Sequence, residues 1–185
     1  MTKAQLTVLA GPTAVGKGTV VAALTKRYPT LNVSVSATTR DPRPGELNGV
    51  HYYFVSAQEF DAMIERGDML EWALVHGKNK YGTPRGPVDE ALAAGKPMLL
   101  EIDLAGARQV RTNRPDAQFI FLAPPSWEEL ERRLIGRGTE GPEEQARRLA
   151  TARVELEAAS EFDHVVINDD VERAVDELAR LIGLE

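Results

Sequence analysis

The residues Gly11, Pro12, Thr13, Ala14, Val15, Gly16, Lys17, Gly18 and Thr19 follow directly on the apolar run Leu6 to Ala10. A strand, a glycine-rich turn and a lysine in that order suit phosphate. Glycines 11 and 16 let the backbone curl so that N–H groups converge, and a helix starting near Lys17 adds its positive end. Lys17 then supplies a mobile cation for the β- and γ-phosphates of a nucleoside triphosphate. A chance glycine-rich turn is the alternative, but the upstream strand and the helical pattern Val20, Val21, Leu24 provide the context that the motif requires. A hydroxyl usually follows the lysine and ligates Mg²⁺, whereas Gly18 stands there and the hydroxyl comes one place later, at Thr19. Direct ligation of Mg²⁺ by the protein is therefore not expected, and Thr19 or Asp103 would assist only through water.

A second anion site is readable in Ser36-Ala37-Thr38-Thr39-Arg40-Asp41-Pro42-Arg43-Pro44-Gly45-Glu46. Arg40 and Arg43 bracket a proline-stiffened turn. Their guanidinium forks match phosphate oxygens bidentately, and Tyr52 adds a hydroxyl donor, so the group suits a monophosphate; a solvated basic loop is the other reading. Asp103 ends the apolar run Met98 to Ile102, at the carboxyl edge of a strand, where open α/β sheets bind ligands. It would reach Mg²⁺ through water, contact a base, or cap the next helix. Glu101, two residues earlier, shares its face if the strand continues.

These groups need a scaffold. Apolar runs at Leu6 to Ala10, Leu31 to Ser36, Met98 to Ile102, Phe119 to Leu122 and Val165 to Ile167 have strand length and mostly lack alternation. Such runs suit strands buried on both faces of a parallel sheet. Helical patterns fill the gaps at Lys17 to Tyr28, Gly106 to Thr112, Trp127 to Arg137, Pro142 to Ser160 and Val171 to Ile182, an α/β alternation. Asp41 to Lys80 breaks the rhythm with Pro42, Pro44, Gly45 and Asn48-Gly49, then an aromatic strand Tyr52 to Val55 and a helix Gln58 to Arg66, and reads as an inserted subdomain. Gly136 to Pro142 reads as a hinge or lid loop.

Composition narrows the function classes. At 185 residues, 43% apolar and 27% charged, the chain fits one ordinary globular domain. The net charge of −6 argues against nucleic acid or an anionic membrane as a partner, so anionic ligands must be held by local clusters of arginine and lysine. With no cysteine there is no disulfide or thiolate site, and His51, His76 and His164 lack metal-ligand spacing. The start Met-Thr-Lys-Ala-Gln runs straight into the first strand, so neither a signal peptide nor a membrane span is expected and the expected compartment is the cytoplasm.

Taken together, the motifs resemble those of the guanylate kinases, within the nucleoside monophosphate kinase group. The resemblance covers nearly the whole chain. It rests on the loop from Gly11 to Thr19, the segment from Ser36 to Glu46, Asn-Gly-Val-His-Tyr-Tyr-Phe-Val from Asn48, Leu-Glu-Trp-Ala from Leu70, Tyr-Gly-Thr-Pro-Arg from Tyr81, Glu-Ile-Asp from Glu101, Gly-Arg-Gly-Thr-Glu from Gly136 and Asn-Asp-Asp from Asn168. It implies a P-loop kinase core with a parallel sheet covered by helices (about 1–35, 84–135 and 160–185), an inserted GMP-binding subdomain (about 36–83) and a mobile lid (about 136–159). ATP with Mg²⁺ and GMP are the implied ligands. By the same resemblance Arg40, Arg43, Tyr52 and Tyr81 hold the GMP phosphate, and Ser36, Glu71, Thr83 and Asp103 read guanine. Lys17, Arg40, Arg137 and Arg148 serve phosphoryl transfer, and Asn168 contacts the ATP adenine, an asparagine helix cap being the other reading.

The guanine assignment has its own chemistry. Guanine offers N1–H and the 2-amino group side by side, which suit the two oxygens of an ionised Glu71, whereas adenine presents an acceptor at N1. Without the resemblance, Glu71 beside Trp72 reads as a surface acid at a helix end. Two rivals are a kinase of the same architecture acting on another monophosphate, suggested by Gly-Lys-Gly-Thr, and a non-catalytic scaffold module. The guanine-reading set opposes the first, and the intact Lys17 and arginines oppose the second.

Overall fold

The computed structural model describes residues 4–136, 138 and 140–185. Five strands, β1 (Leu6–Ala10), β2 (Asn32–Val33), β7 (Met98–Glu101), β8 (Gln118–Ala123) and β9 (His164–Ile167), form a parallel sheet in the order β2-β7-β1-β8-β9. Alternate side chains of these strands feed two separate cores. Leu6, Val8, Ala10, Met98, Leu100 and Phe119 face one side with Val88, Ala107 and Val110. Leu9, Leu99, Ile120, Leu122 and Val166 face the other with Val20, Leu24, Val175 and Leu178. Helices α3 (Arg85–Ala93) and α4 (Leu104–Asn113) thus cover the first face, and α1 (Lys17–Arg27) and α7 (Val171–Ile182) the second. Burial on both faces is why the central runs are continuously apolar. Each wholly buried leucine or valine here is worth roughly 1.5–3 kcal/mol.

A second sheet, ordered β4-β3-β6-β5, joins β3 (Ala37–Thr38), β4 (Tyr53–Phe54), β5 (Met69–Val75) and β6 (Asn79–Pro84). Its own small core holds Ala37, Phe60 and Met69, with helix α2 (Ala57–Glu65) contributing Phe60, Met63 and Ile64. The expected strand Leu31 to Ser36 is much shorter than its apolar run, because the chain changes sheets there. Ser34 still donates to Leu99 O, but the Ser36 carbonyl already accepts from Tyr53 N at 2.8 Å.

Helices α5 (Trp127–Ile135) and α6 (Pro142–Glu157) pack together through Leu130, Leu134 and Ala152. The expected helix to Ser160 tightens into a 3-10 turn at Ala158–Glu161. Among the described residues, no helix is long and apolar enough to cross a membrane.

Candidate functional site

The loop between β1 and α1 is curled by two left-handed residues, Ala14 at φ 68° and Gly16 at φ 94°. Gly16 is the residue this position favours. Besides its dihedral, a Cβ there would lie 2.8 Å from Asn168 Nδ2. That amide donates to Val15 O at 2.8 Å, and Arg133 Nη1 donates to the same carbonyl at 3.2 Å, while the Val15 side chain is buried in the main core. The loop is thus held from β9, from α5 and from beneath.

Lys17 stretches back along the loop to donate from Nζ to Gly11 O at 3.0 Å. Its burial lowers the ammonium pKa, and the carboxylates of Glu101, Glu155 and Asp103 offset part of that effect. Gly18 and Thr19 are exposed, and a Cβ on Gly18 would meet only Glu101 Oε1, at 3.9 Å. The Thr13 N–H donates to Glu155 Oε2 at 3.1 Å. A groove of about 450 Å³ runs beside the loop, bounded by Ala14, Gly16, Glu129, Arg132, Arg133 and Gly136.

The second sheet presents Glu71. Its strand β5 pairs antiparallel with β6, placing Glu71 opposite Thr83, and Thr83 Oγ1 donates to Glu71 Oε1 at 2.7 Å. Beside this pair Gly82 crosses closely, for a Cβ there would lie 2.6 Å from Glu71 O. Glu71 is only 9% exposed. Burial pushes its pKa up, the Thr83 hydroxyl pulls it back, and the Asp103 charge raises it further. Asp103 caps α4, its Oδ1 accepting from Gly106 N at 2.7 Å. A point built as a Cβ on Gly106 lies 3.1 Å from both Asp103 Oδ1 and Glu71 Oε2, so these two acids converge on one spot.

The same sheet carries the arginine cluster. Arg40 is bidentate to Glu46, with Nη2 to Oε1 at 2.9 Å and Nη1 to Oε2 at 3.0 Å, and its guanidinium stands 5.2 Å from the Tyr52 ring centroid. Tyr52 and Tyr81 meet edge to face at 6.1 Å. The Arg40 pKa is raised, chiefly by Glu46 and then by a hydrogen bond with Tyr81, and the Glu46 carboxyl is lowered to about 2 by Arg40 and by the Arg43 N–H. Arg43 itself is exposed, its backbone N donating to Glu46 Oε2 at 2.9 Å.

The structure therefore gathers Arg40, Tyr52 and Tyr81 in one cluster and Glu71, Thr83 and Asp103 in another, with Ser36 at the entry to β3. Arg148 is half-buried on α6 and paired with Glu140 at 2.9 Å, and Arg137 lies outside the described residues. The surface, helix-end reading of Glu71 is incorrect, because β5 rather than a helix carries it and Thr83 covers it. The helix-cap reading of Asn168 is likewise incorrect: Asp170 caps α7, accepting from Arg173 N at 2.9 Å, and Asn168 braces the phosphate-type loop instead. Three residues at these sites were not foreseen as contacts: Glu155, Arg133 and Glu46. For Glu155 the available signal is its spacing from Arg148 and Ala152, which places all three on one face of α6.

The family model for guanylate kinase matches residues 3–185. The chain belongs to the guanylate kinase family. A guanylate kinase of Thermobifida fusca (strain YX) is 61% identical over 179 residues, covering 97% of this chain and 91% of that protein. A guanylate kinase of Leifsonia xyli subsp. xyli (strain CTCB07) is 60% identical over 177 residues, 96% of this chain and 70% of that one. The crystal structure of guanylate kinase from Anaplasma phagocytophilum superposes with a TM-score of 0.74 at 32% identity, covering 99% of this chain and 86% of that chain. Burial dominates both the lowered Lys17 pKa and the raised Glu71 pKa, and the Asp103 carboxylate adds a smaller influence on each.

Proposed function

We infer that this chain transfers the γ-phosphoryl group of ATP to GMP, reversibly, giving ADP and GDP and serving purine nucleotide metabolism. The observation that carries this reading is the convergence of the Glu71 and Asp103 carboxylates, each 3.1 Å from one point at Gly106. Asp103 follows β7, which pairs with the β1 strand that leads into the Lys17 loop, and this supports a triphosphate site and a base-reading acid sharing the carboxyl edge of the sheet.

In this reading the second sheet and α2 (about 36–83) receive GMP, the parallel-sheet core (about 1–35, 84–135 and 160–185) receives ATP, and about 136–159 closes over both as a lid. Glu71 accepts from guanine N1–H and the 2-amino group, assisted by Thr83, Ser36 and Asp103. Arg40, Arg43, Tyr52 and Tyr81 hold the GMP phosphate. A GMP phosphate oxygen attacks the γ-phosphorus and the bond to the β–γ bridging oxygen breaks, so no covalent protein intermediate is required. The protein's part is to align the two anions, neutralise their repulsion and exclude water. Lys17, Arg40, Arg137 and Arg148 supply the positive charge, and Asn168 keeps the loop in shape beneath the ATP phosphates.

Magnesium fits the donor chemistry, because the acids near Lys17 are hard oxygen ligands. Bound with ATP, Mg²⁺ would neutralise phosphate charge, with Glu101, Asp103 and Thr19 holding its waters. The ligands are thus small molecules, with neither nucleic acid nor membrane as partner, and the reading carries with it a cytoplasmic location. A coupled assay of ADP formation from ATP and Mg²⁺, run separately with GMP, AMP, UMP and CMP, tests it. Activity is expected with GMP, and activity confined to AMP would overturn the assignment of Glu71.

A further inference from the structure

Glu155 lies 142 residues along the chain from Thr13, yet its Oε2 accepts the Thr13 N–H at 3.1 Å. The helix that carries it is seated on the loop independently of that bond, because Ala14 packs against the apolar cluster of Leu130, Leu134 and Ala152. The Glu155 carboxylate also acts on the Lys17 ammonium. A backbone N–H and a lysine ammonium are the two kinds of donor such a loop offers to an anion, and here the N–H is taken by a protein carboxylate while the ammonium rests on Gly11 O.

The position along the loop matters. Helix-terminal amides from Lys17 onward and the inner loop cradle the inner phosphates, whereas the lysine tip reaches the outer ones. Lys17 Nζ is drawn back to Gly11 O, at the start of the loop, and Thr13 is two residues further on. Glu155 therefore sits at the first half of the loop, the part toward which the phosphate-reaching tip of Lys17 turns.

We propose that Glu155 determines how this site grades the phosphate chain of its nucleotide: its carboxylate competes with the terminal phosphate for the loop and must be displaced by a triphosphate. The proposal rests on the reading that the loop binds ATP. Two anions cannot share one N–H, so the form with the carboxylate on Thr13 N–H is incompetent for the terminal phosphate, and its population reduces apparent ATP affinity. ADP, with a shorter chain, meets that competition less, and AMP least. Displacement also releases the face of α6 on which Arg148 lies two turns earlier, now tied to Glu140.

Calorimetric titration of ATP, ADP and AMP, with Mg²⁺ and without GMP, into wild type, Glu155→Gln and Glu155→Ala tests this. Both variants are expected to bind ATP more tightly, on the order of tenfold if the occluded form holds about nine-tenths of the molecules, with a smaller gain for ADP and none for AMP. A merely structural role for Glu155 would weaken binding on substitution. Wild type that binds ATP, with variants that bind it equally or less well, overturns this inference alone. Equal gains for ATP and ADP overturn the assignment to the terminal phosphate, and wild type that binds no ATP overturns the functional reading as well.

Discussion

Both anion sites of this kinase contain a protein carboxylate, and the way each is held separates their roles. Glu46 comes from the same turn as Arg40, six residues away, and binds its fork with both oxygens while also accepting the Arg43 N–H. Glu155 arrives from another helix and accepts one N–H of the loop. A local, bidentate carboxylate fixes an arginine in place, leaving the guanidinium's remaining donors and its tyrosine neighbours to meet a phosphate. A distant carboxylate on a single bond is a competitor for the site it occupies. On the proposed reading, the acceptor side is arranged before its ligand arrives, and the donor side has to be opened.

Substitutions sharpen that contrast. The largest effect is expected at Lys17, the cation common to loop and transfer: Lys17→Met should lower turnover by about 10²–10³ while leaving GMP affinity, read by calorimetry, nearly unchanged. Near-normal turnover would break the division between donor and acceptor sides. Glu46→Gln should act only on the acceptor side. Without the ionised partner Arg40 loses its fixed orientation, and the KM for GMP should rise roughly tenfold with the KM for ATP unaltered; an equal rise in both would show that Glu46 does not act on the GMP site alone.

The smallest effect concerns stability. Burial raises the Glu71 pKa above the ordinary 4.5, so its contribution is favourable at low pH and is lost as pH climbs from about that value through the raised folded one. Glu71→Gln lacks this loss. Its Tm relative to wild type should therefore increase across that window, by about 2–4 °C per kcal/mol relieved, in thermal melts from pH 4 to 8. A constant difference would mean that Glu71 is not desolvated.

Much of this was legible because local chemistry decided it. The loop from Gly11 to Thr19, the helices α1 and α7 and the central strands follow from apolar runs and a glycine turn that tertiary context does not override. The β5–β6 hairpin was hidden by its turn: His76 and Gly77 both have positive φ, the arrangement usually signalled by Asn-Gly. Helix α3 was hidden because Pro84, Gly86 and Pro87 read as breakers, yet they occupy the cap and first turn, where no intrahelical N–H is required. Without β5, Glu71 has no strand to stand on, so its burial and its partner Thr83 were reachable only through resemblance. Glu155 escaped because its partner is a backbone amide, and a backbone amide leaves no residue-type signal.

The central claim is that a buried Glu71 selects guanine for phosphoryl transfer from ATP. Its most direct test is the four-monophosphate ADP-formation assay run side by side on wild type and Glu71→Gln. Wild type should turn over with GMP, and the variant's ratio of kcat/KM for GMP over AMP should fall by about 10² or more with the KM for ATP unchanged. A ratio that the substitution leaves intact, or wild-type activity with AMP alone, would contradict the account.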